Sequence, residues 1–274
     1  MTTTKIFTCI AIFILSACIF TISSVEARIG FSDVVFAAEA APGGHVSHNL
    51  VSTLSSDEPA PVNLSVDILD WYQNQDGANL GLKDNPEIAP YSAKKILSVS
   101  PRNFSISPGK SQNIKIEADM PAGEGGRYAI IFVHTLPKLG KGGQGVAITV
   151  GMNTLVLLTI SGSELIKTGE IDNLTLQEPI SAKQQNISMT FKNTGNYHYP
   201  VNASATLKDA KGSVLATAST AVRSSIIPTA KRMIKFSIVP ESLLKPGTYT
   251  AEVNVTLKDG TLLATKKTLF DIKS

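Results

Sequence analysis

The sequence predicts an all-β protein built from two β-sandwiches in tandem after an N-terminal signal segment. From Pro42 onward, clusters of Gly, Pro, Asn, Asp and Ser recur at roughly the eight- to twelve-residue spacing of turns in sandwich folds. Apolar and polar residues mostly alternate between these clusters, which is the period of a half-buried strand. Outside the leader, no segment keeps the helical period.

The clearest of these patterns lies between Ile96 and Ile116. Phe104 and Ile106 alternate with serines, and Pro108-Gly109 supplies a turn before the alternation resumes. This stretch predicts two strands and the turn between them. It indicates a scaffold and contains no catalytic motif.

The same reasoning gives the strands of the first half, residues 28–162. They are Asp33–Ala38, Val46–Leu54, Val62–Trp71, Lys95–Val99, Phe104–Ile106, Asn113–Ala118, Arg127–Thr135 and Val146–Ile160. The last is expected to break in two near Gly151. In the third strand the apolar parity changes after Ile68, which predicts a bulge near Asp70. Tyr128–His134 is apolar on both faces, as expected for a central strand.

The second half, residues 163–274, carries further alternating runs separated by turn signals. Asp259-Gly260 is a two-residue hairpin signal. Seven strands in about 110 residues predict one immunoglobulin-like sandwich. The connection around 160–164 is short, so we expect the two domains to touch.

Residues 1–27 have the features of a secretory signal peptide. Lys5 precedes an apolar run from Ile6 to Ile22, and Val25-Glu-Ala27 fits a cleavage site. An uncleaved anchor is the alternative. We therefore expect a secreted or cell-surface protein that touches a membrane only through this segment, if it is retained or lipidated.

Both cysteines, Cys9 and Cys18, lie in the leader, so cleavage would leave a chain without thiols. Leu15-Ser-Ala-Cys18 resembles a lipobox, which makes lipidation of Cys18 a further alternative. The apolar run continues beyond Cys18, whereas a polar tether normally follows a lipidated cysteine.

The first half resembles the PapD-like immunoglobulin fold in Pro42-Gly-Gly44, Asp57-Glu-Pro59, the block from Val99 to Gln112, and Gly126–Ile131. It is similar to domains associated with WxL-type surface proteins, and the second half resembles generic extracellular immunoglobulin-like modules. The basic residue pair of pilus chaperones, which holds a subunit's terminal carboxylate, cannot be matched here, so no chaperone residue is assigned.

Composition and motifs argue against several classes of function. The net charge is +3 with 17% charged residues, and these are interspersed, so no nucleic-acid partner is expected. There is no Gly-x-Ser-x-Gly motif and no evident carboxylate pair. The glycine-rich segment 140–145 joins two strands, which favours a flexible loop over a phosphate site. We therefore expect no enzyme, no catalytic residue and no cofactor.

Metal binding is likewise not expected. His45 and His48 would lie on opposite faces of one strand, and His134 is interpreted as a rim histidine. A calcium site is the alternative interpretation of four acids in the first half; they are Asp67, Asp70, Asp76 and Asp84. A metal-assisted hydrolase would require His134 or these acids to converge with further ligands.

Aromatic residues are the candidate interaction sites. Trp71, Tyr72 and Tyr91 flank a long polar segment, 73–90, and Tyr197 and Tyr199 flank His198 at a turn. The alternative for Trp71 is that it plugs the end of its own core. Asn-x-Ser/Thr sequons make six asparagines candidate glycosylation sites: Asn63, Asn103, Asn173, Asn186, Asn202 and Asn254. Strands rich in Ser and Thr also generate such sequons by chance.

Two functional hypotheses follow. The leading one is a non-enzymatic surface protein that contacts an envelope protein or a surface glycan in envelope structure or adhesion. The alternative is a chaperone-like assembly factor for surface subunits that acts by β-strand complementation.

Overall fold

The computed structural model describes residues 28–136, 149–177 and 183–273. These residues form seventeen strands and one short 3₁₀ helix, Ala89–Tyr91, and contain no α-helix. None of them belongs to a helix long and apolar enough to span a bilayer. The leader with Cys18, the glycine-rich segment 140–145 and the predicted strand start at 146–148 lie outside the described residues.

The first unit contains ten strands: β1 (Ile29–Phe31), β2 (Val35–Ala40), β3 (His45–Leu54), β4 (Val62–Gln73), β5 (Asn79–Leu82), β6 (Leu97–Ser100), β7 (Asn103–Ile106), β8 (Ser111–Asp119), β9 (Gly126–Thr135) and β10 (Gly151–Ile160). One sheet has the order β1-β3-β8-β6. The other has the order β2-β10-β9-β4-β5, with β7 also paired to β4. The sequence patterns predicted these strands to within about two residues, except for the short strands β1 and β5 and for the start of β10, which was predicted at Val146 and lies at Gly151.

The two sheets enclose an apolar core because one parity of each strand faces inward. Leu50, Ile114, Ile131 and Val156 are fully buried there. Strand β9 is buried on both faces, as its apolar sequence predicted. Its residues Tyr128 and Ile130 belong to a different core, which continues into the second unit.

The second unit contains seven strands: β11 (Gly169–Leu176), β12 (Gln185–Asn193), β13 (Tyr199–Lys208), β14 (Val214–Ile226), β15 (Lys231–Ile238), β16 (Gly247–Thr256) and β17 (Leu262–Ile272). The sheet β11-β12-β15 packs on the sheet β14-β13-β16-β17. The chain is therefore all-β with two sandwiches, as the sequence predicted.

The bulge predicted near Asp70 is absent. Strand β4 pairs with β9 without a register shift as far as Leu69, opposite Ile130, and then pairs with β5 from Asp70 onward. The apolar parity changes because the second half of β4 turns its other face toward the second unit, where Trp71 is buried. A change of packing partner, and not an extra residue, produces the pattern.

The polar segment 73–90 is also not one long loop. The Asn74 side-chain oxygen accepts a hydrogen bond from the Ala78 N–H at 2.8 Å, and its backbone oxygen accepts one from the Gly77 N–H at 3.0 Å. This tight turn returns the chain as β5, so β4 and β5 form a hairpin. The tip of that hairpin contacts the second unit.

Candidate functional site at a sheet edge and the unit junction

One edge of the first unit is incompletely covered. Strand β10 pairs with β9 from Gly151 to Thr159, but β2 covers β10 only from Leu155 onward. The Leu155 N–H donates to the Val34 oxygen on the β2 side at 2.9 Å, whereas the Val150 oxygen accepts from Thr135 on the β9 side. Backbone groups alternate in direction along a strand, so those of Gly151 and Asn153 point outward. No strand of the described chain pairs with them.

Exposed apolar side chains surround this edge. They are Val34 (57% exposed), Val35 (44%), Leu136 (44%) and Val150 (39%). All four lie at the ends of strands that meet here, since they precede or begin β2, precede β10 or follow β9. An uncovered edge with an apolar rim is the usual template for pairing with another extended chain.

The edge is held rigidly from behind. A Cβ added to Gly151 would lie 2.5 Å from the Phe132 ring and 2.8 Å from the Cβ of His134. The Phe132 and His134 rings stack at 4.8 Å, and the His134 Nε2 lies 3.0 Å from the Asp67 carboxylate. Gly151 is thus required for close packing, and His134 is a rim histidine held by a carboxylate.

A second notable feature is the junction between the two units, where the Gln73 side chain acts as a clamp. Its Nε2 donates to the backbone carbonyl oxygen of Ser225 at 3.0 Å and to the Asn79 Oδ1 at 3.1 Å. Its Oε1 accepts a hydrogen bond from the Ile227 N–H at 3.0 Å. Gln73 is buried, so these bonds replace water entirely. The carboxamide thereby satisfies backbone groups of the second unit as a neighbouring strand would.

The tip of the β4–β5 hairpin adds a backbone contact. The Met233 N–H donates to the Gln75 oxygen at 2.8 Å. Beside it, the Arg232 guanidinium packs directly on Gly77, at a distance that leaves no space for a side chain there. Arg232 is only 8% exposed, its Nη1 donates to Ser224 Oγ at 3.3 Å, and burial lowers its pKa.

A third contact joins Tyr128 of β9 to His198. The Tyr128 hydroxyl lies 3.1 Å from His198 Nδ1, and the two rings meet edge to face at 5.6 Å. Burial lowers the pKa of His198 to about 4, with a further contribution from the charge of Lys167. The imidazole is therefore neutral at pH 7 and shares this hydrogen bond with the hydroxyl, whose own pKa burial raises. The Gly126 N–H donates to the Asn196 oxygen nearby at 2.9 Å.

Two of the predicted interaction residues are buried, which corrects their assignment as surface contacts. Trp71 is 3% exposed; its indole N–H donates to Asn79 Oδ1, and its ring meets Tyr128 edge to face at 6.1 Å. It joins the core of the second unit and does not simply plug its own sandwich. Tyr199 begins β13 facing inward, and its hydroxyl donates to the Thr168 oxygen.

The other three aromatic residues are less buried. Tyr72 is 36% exposed. Tyr91 lies half-buried in the 3₁₀ helix, and Tyr197 is half-buried in the second unit, with the Lys167 ammonium 5.8 Å from its ring centroid. Their role in binding stays a prediction.

The histidines and acids are held in separate contacts. His45 lies 2.9 Å from Asp119, and His48 stacks on Phe36. Asp70 accepts hydrogen bonds from Ser92 and Asn85, and Asp84 pairs with Lys94 at 2.9 Å. Within the described ranges, no three such side chains are placed to hold one metal ion.

The sequons lie on strands, and neighbouring ones pair in register. Asn63 faces Ser105 while Ser65 faces Asn103, and Asn202 faces Thr256 while Ser204 faces Asn254. All six asparagines are exposed except Asn254, which is half-buried with its Oδ1 accepting from Thr265. Their glycosylation stays a prediction.

Sequence reasoning missed the two features that organise this region. The outward groups of Asn153 depend on where β2 stops, and the role of Gln73 depends on a strand about 150 residues away in sequence. Only the parity change after Ile68 indicated that β4 continues toward a second partner.

Comparisons with known proteins give structural likenesses alone. No family model matches the chain, and no curated protein matches it. Solved structures similar to it include the class 5 fimbriae chaperone CfaA, at 12% identity and a TM-score of 0.44 over 90% of this chain and 100% of that one. Another is a chaperone–tip adhesin complex of CFA/I fimbriae biogenesis, at 13% identity and a TM-score of 0.45 over 86% and 97%.

A third is the CsuC–CsuE chaperone–tip adhesion subunit pre-assembly complex of Acinetobacter baumannii, at 12% identity and a TM-score of 0.43 over 90% and 98%. The resemblance to WxL-associated domains stays an expectation.

Proposed function

We propose that this protein is a chaperone-like assembly factor that binds an extended segment of an extracytoplasmic protein by β-strand addition. The observation that carries the proposal is the uncovered edge of β10, where the backbone groups of Gly151 and Asn153 point outward. A partner strand placed there would lie in line with β2 on the same side of β10. Its apolar side chains would contact the rim of Val34, Val35, Leu136 and Val150.

The junction supports the same function. Three contacts, made by Gln73, Gln75 and Tyr128, fix the units to each other. A rigid platform loses little conformational entropy when it binds a chain, so the flexible partner alone would be ordered. The contacts of such a partner are mostly main-chain hydrogen bonds, which suits a factor that handles several related subunits.

Photo-crosslinking in the native host tests the proposal. A photoreactive amino acid replaces exposed Val150, and its adducts are identified by mass spectrometry in three backgrounds: unmodified, Asn153→Pro and Ala37→Pro. Proline at 153 removes one outward N–H and no hydrogen bond between described residues. Ala37→Pro is the matched control, because it removes an outward N–H of β2.

We expect an adduct with an extracytoplasmic protein in the unmodified and Ala37→Pro backgrounds, and its loss with Asn153→Pro. A pulse-chase should show that the adduct is transient, since an assembly factor releases its subunit. An adduct that persists would indicate a permanent envelope component. An adduct insensitive to Asn153→Pro, or no adduct, would refute strand addition at this edge.

A further inference from the structure

The second unit has an unprotected edge strand of its own. Strand β14 is hydrogen-bonded to β13 on one side, and no strand of the described chain pairs with its other side. From Val214 to Val222 it contains no charged residue and no proline. Its side chains there are mostly Ala, Ser and Thr, which leave the backbone accessible.

The other long edge strands are protected differently. Each carries charged residues: Glu39 in β2, Glu170 and Asp172 in β11, Lys231 and Lys235 in β15, and Lys266 and Lys267 in β17. Charges at edges prevent unwanted pairing in natural sheet proteins. The lack of such protection along most of β14 indicates that this edge is covered when the protein functions.

We propose that β14 pairs antiparallel with β14 of a second copy, about a two-fold axis through Ala218. Residues that face each other across such an axis point to the same side of the sheet, so their numbers have the same parity. In this register Thr217 faces Ser219 of the second copy, and Ala216 faces Thr220. The segment is therefore self-complementary, with small side chains and hydroxyl pairs opposite each other.

Charge complementarity selects this register. The axis at Ala218 places Arg223 opposite Ser213 of the second copy. In each copy the Ser213 N–H donates to the Asp209 carboxylate of the same chain at 2.8 Å. Arg223 forms no ion pair with another described residue of its own chain. A shift of the axis to Thr217 would instead place Arg223 opposite Lys211. Two symmetric Arg223–Asp209 attractions thus favour the axis at Ala218.

Sedimentation velocity on the purified protein tests the pairing. Thr217 and Ser219 are exposed on the same outer face, so charges there leave the core intact. The variant Thr217→Lys with Ser219→Lys places lysines opposite lysines across the axis. The variant Thr217→Glu with Ser219→Lys places Glu opposite Lys in this register alone. Ser47→Lys with Asn49→Lys, on exposed positions of β3, is the control for added charge.

We expect a concentration-dependent dimer for the unmodified protein and the control, a monomer for the double-lysine variant, and a restored dimer for the Glu–Lys variant. Circular dichroism should show the same fold for all four. A monomeric unmodified protein, a dimer that survives both lysines, or a failure of the Glu–Lys variant to restore it would each overturn the proposal. The crosslink at Val150 is independent of these outcomes.

Discussion

The Gln73 Oε1 accepts a hydrogen bond from the Ile227 N–H across the junction of the two units, at 3.0 Å. The same carboxamide donates to Ser225, so one side chain satisfies two backbone groups that the end of β14 leaves unpaired. Strand β14 departs from β13 here, where the register shifts beside Pro200, which has no N–H to offer the ladder. The junction therefore depends on a side chain acting in place of a strand.

Replacement of Gln73 should destabilise the protein. Gln73→Ala leaves the Ile227 N–H and the Ser225 oxygen buried without partners, at a cost of about 2–4 kcal/mol in the free energy of unfolding. Gln73→Glu keeps the acceptor for Ile227 but loses the donor and buries a charge. Urea unfolding monitored by Trp71 fluorescence measures both.

Gln75→Ala is the matched control, because the junction uses only the backbone oxygen of Gln75. We expect it to change stability by less than about 0.5 kcal/mol. Equal losses for Gln73→Ala and Gln75→Ala would contradict the clamp.

The Tyr128–His198 contact should make stability depend on pH. The pKa of His198 is about 4 in the folded protein, below the ordinary value of 6.5, so the unfolded chain binds the proton more readily. The contribution of neutral His198 to the free energy of unfolding is fully present above pH 6.5 and is lost as the pH falls toward 4. It amounts to at most about 3 kcal/mol. A protonated imidazole could only donate in its hydrogen bond with the Tyr128 hydroxyl.

Chemical unfolding at several pH values, compared between the unmodified protein and His198→Gln, checks this. The variant should lose the fall in stability that His198 causes between pH 6.5 and 4, and keep the pH dependence of the groups common to both proteins. Lys208 and Lys267 lower the pKa of Glu252 to about 2, so this carboxylate changes the stability at a more acidic pH. Asp119 raises the pKa of His45, so the pH dependence that His45 contributes has the opposite sign. This contribution is present in both proteins. Identical slopes for the two proteins would show that His198 does not titrate in this way.

The hairpin tip offers a test of the Arg232 contact. Gly77 has a positive φ of 92°, and a side chain there would also displace the Arg232 guanidinium. Gly43 has a similar φ of 78° but no atom within 4 Å of an added Cβ. Gly43→Ala should thus report backbone strain alone, about 1 kcal/mol. Gly77→Ala should cost clearly more, about 2–4 kcal/mol in thermal or urea unfolding.

These positions mark the limit of sequence reasoning here. The strands around Phe104 and Ile114 were predictable because alternation and the Pro108-Gly109 turn are local properties. The packing of Trp71 into the core of the second unit was not, since it depends on residues far away in sequence. In the same way, only the end of β2 makes the Asn153 edge accessible. Junctions and edges are set by which strands meet, and the local pattern carries that information weakly.

Paired sequons lead to a prediction about modification. Asn63 and Asn103 are diagonal neighbours on β4 and β7, about 7–8 Å apart, as are Asn202 and Asn254 on β13 and β16. A glycan is far wider than this spacing, so a folded sheet accommodates one per pair. When the chain is secreted from a glycosylating eukaryotic host, intact mass spectrometry of the folded fraction should show at most one glycan in each pair.

Within the second pair, Asn202 should carry the glycan, because Asn254 is half-buried and bonded to Thr265. Ser105→Ala removes the sequon of Asn103 and leaves that of Asn63 intact, so occupancy of Asn63 should rise in the folded fraction. Thr190→Ala, which changes no sequon, is the control. A folded molecule that carries glycans on both Asn63 and Asn103 would contradict the pairing of β4 with β7.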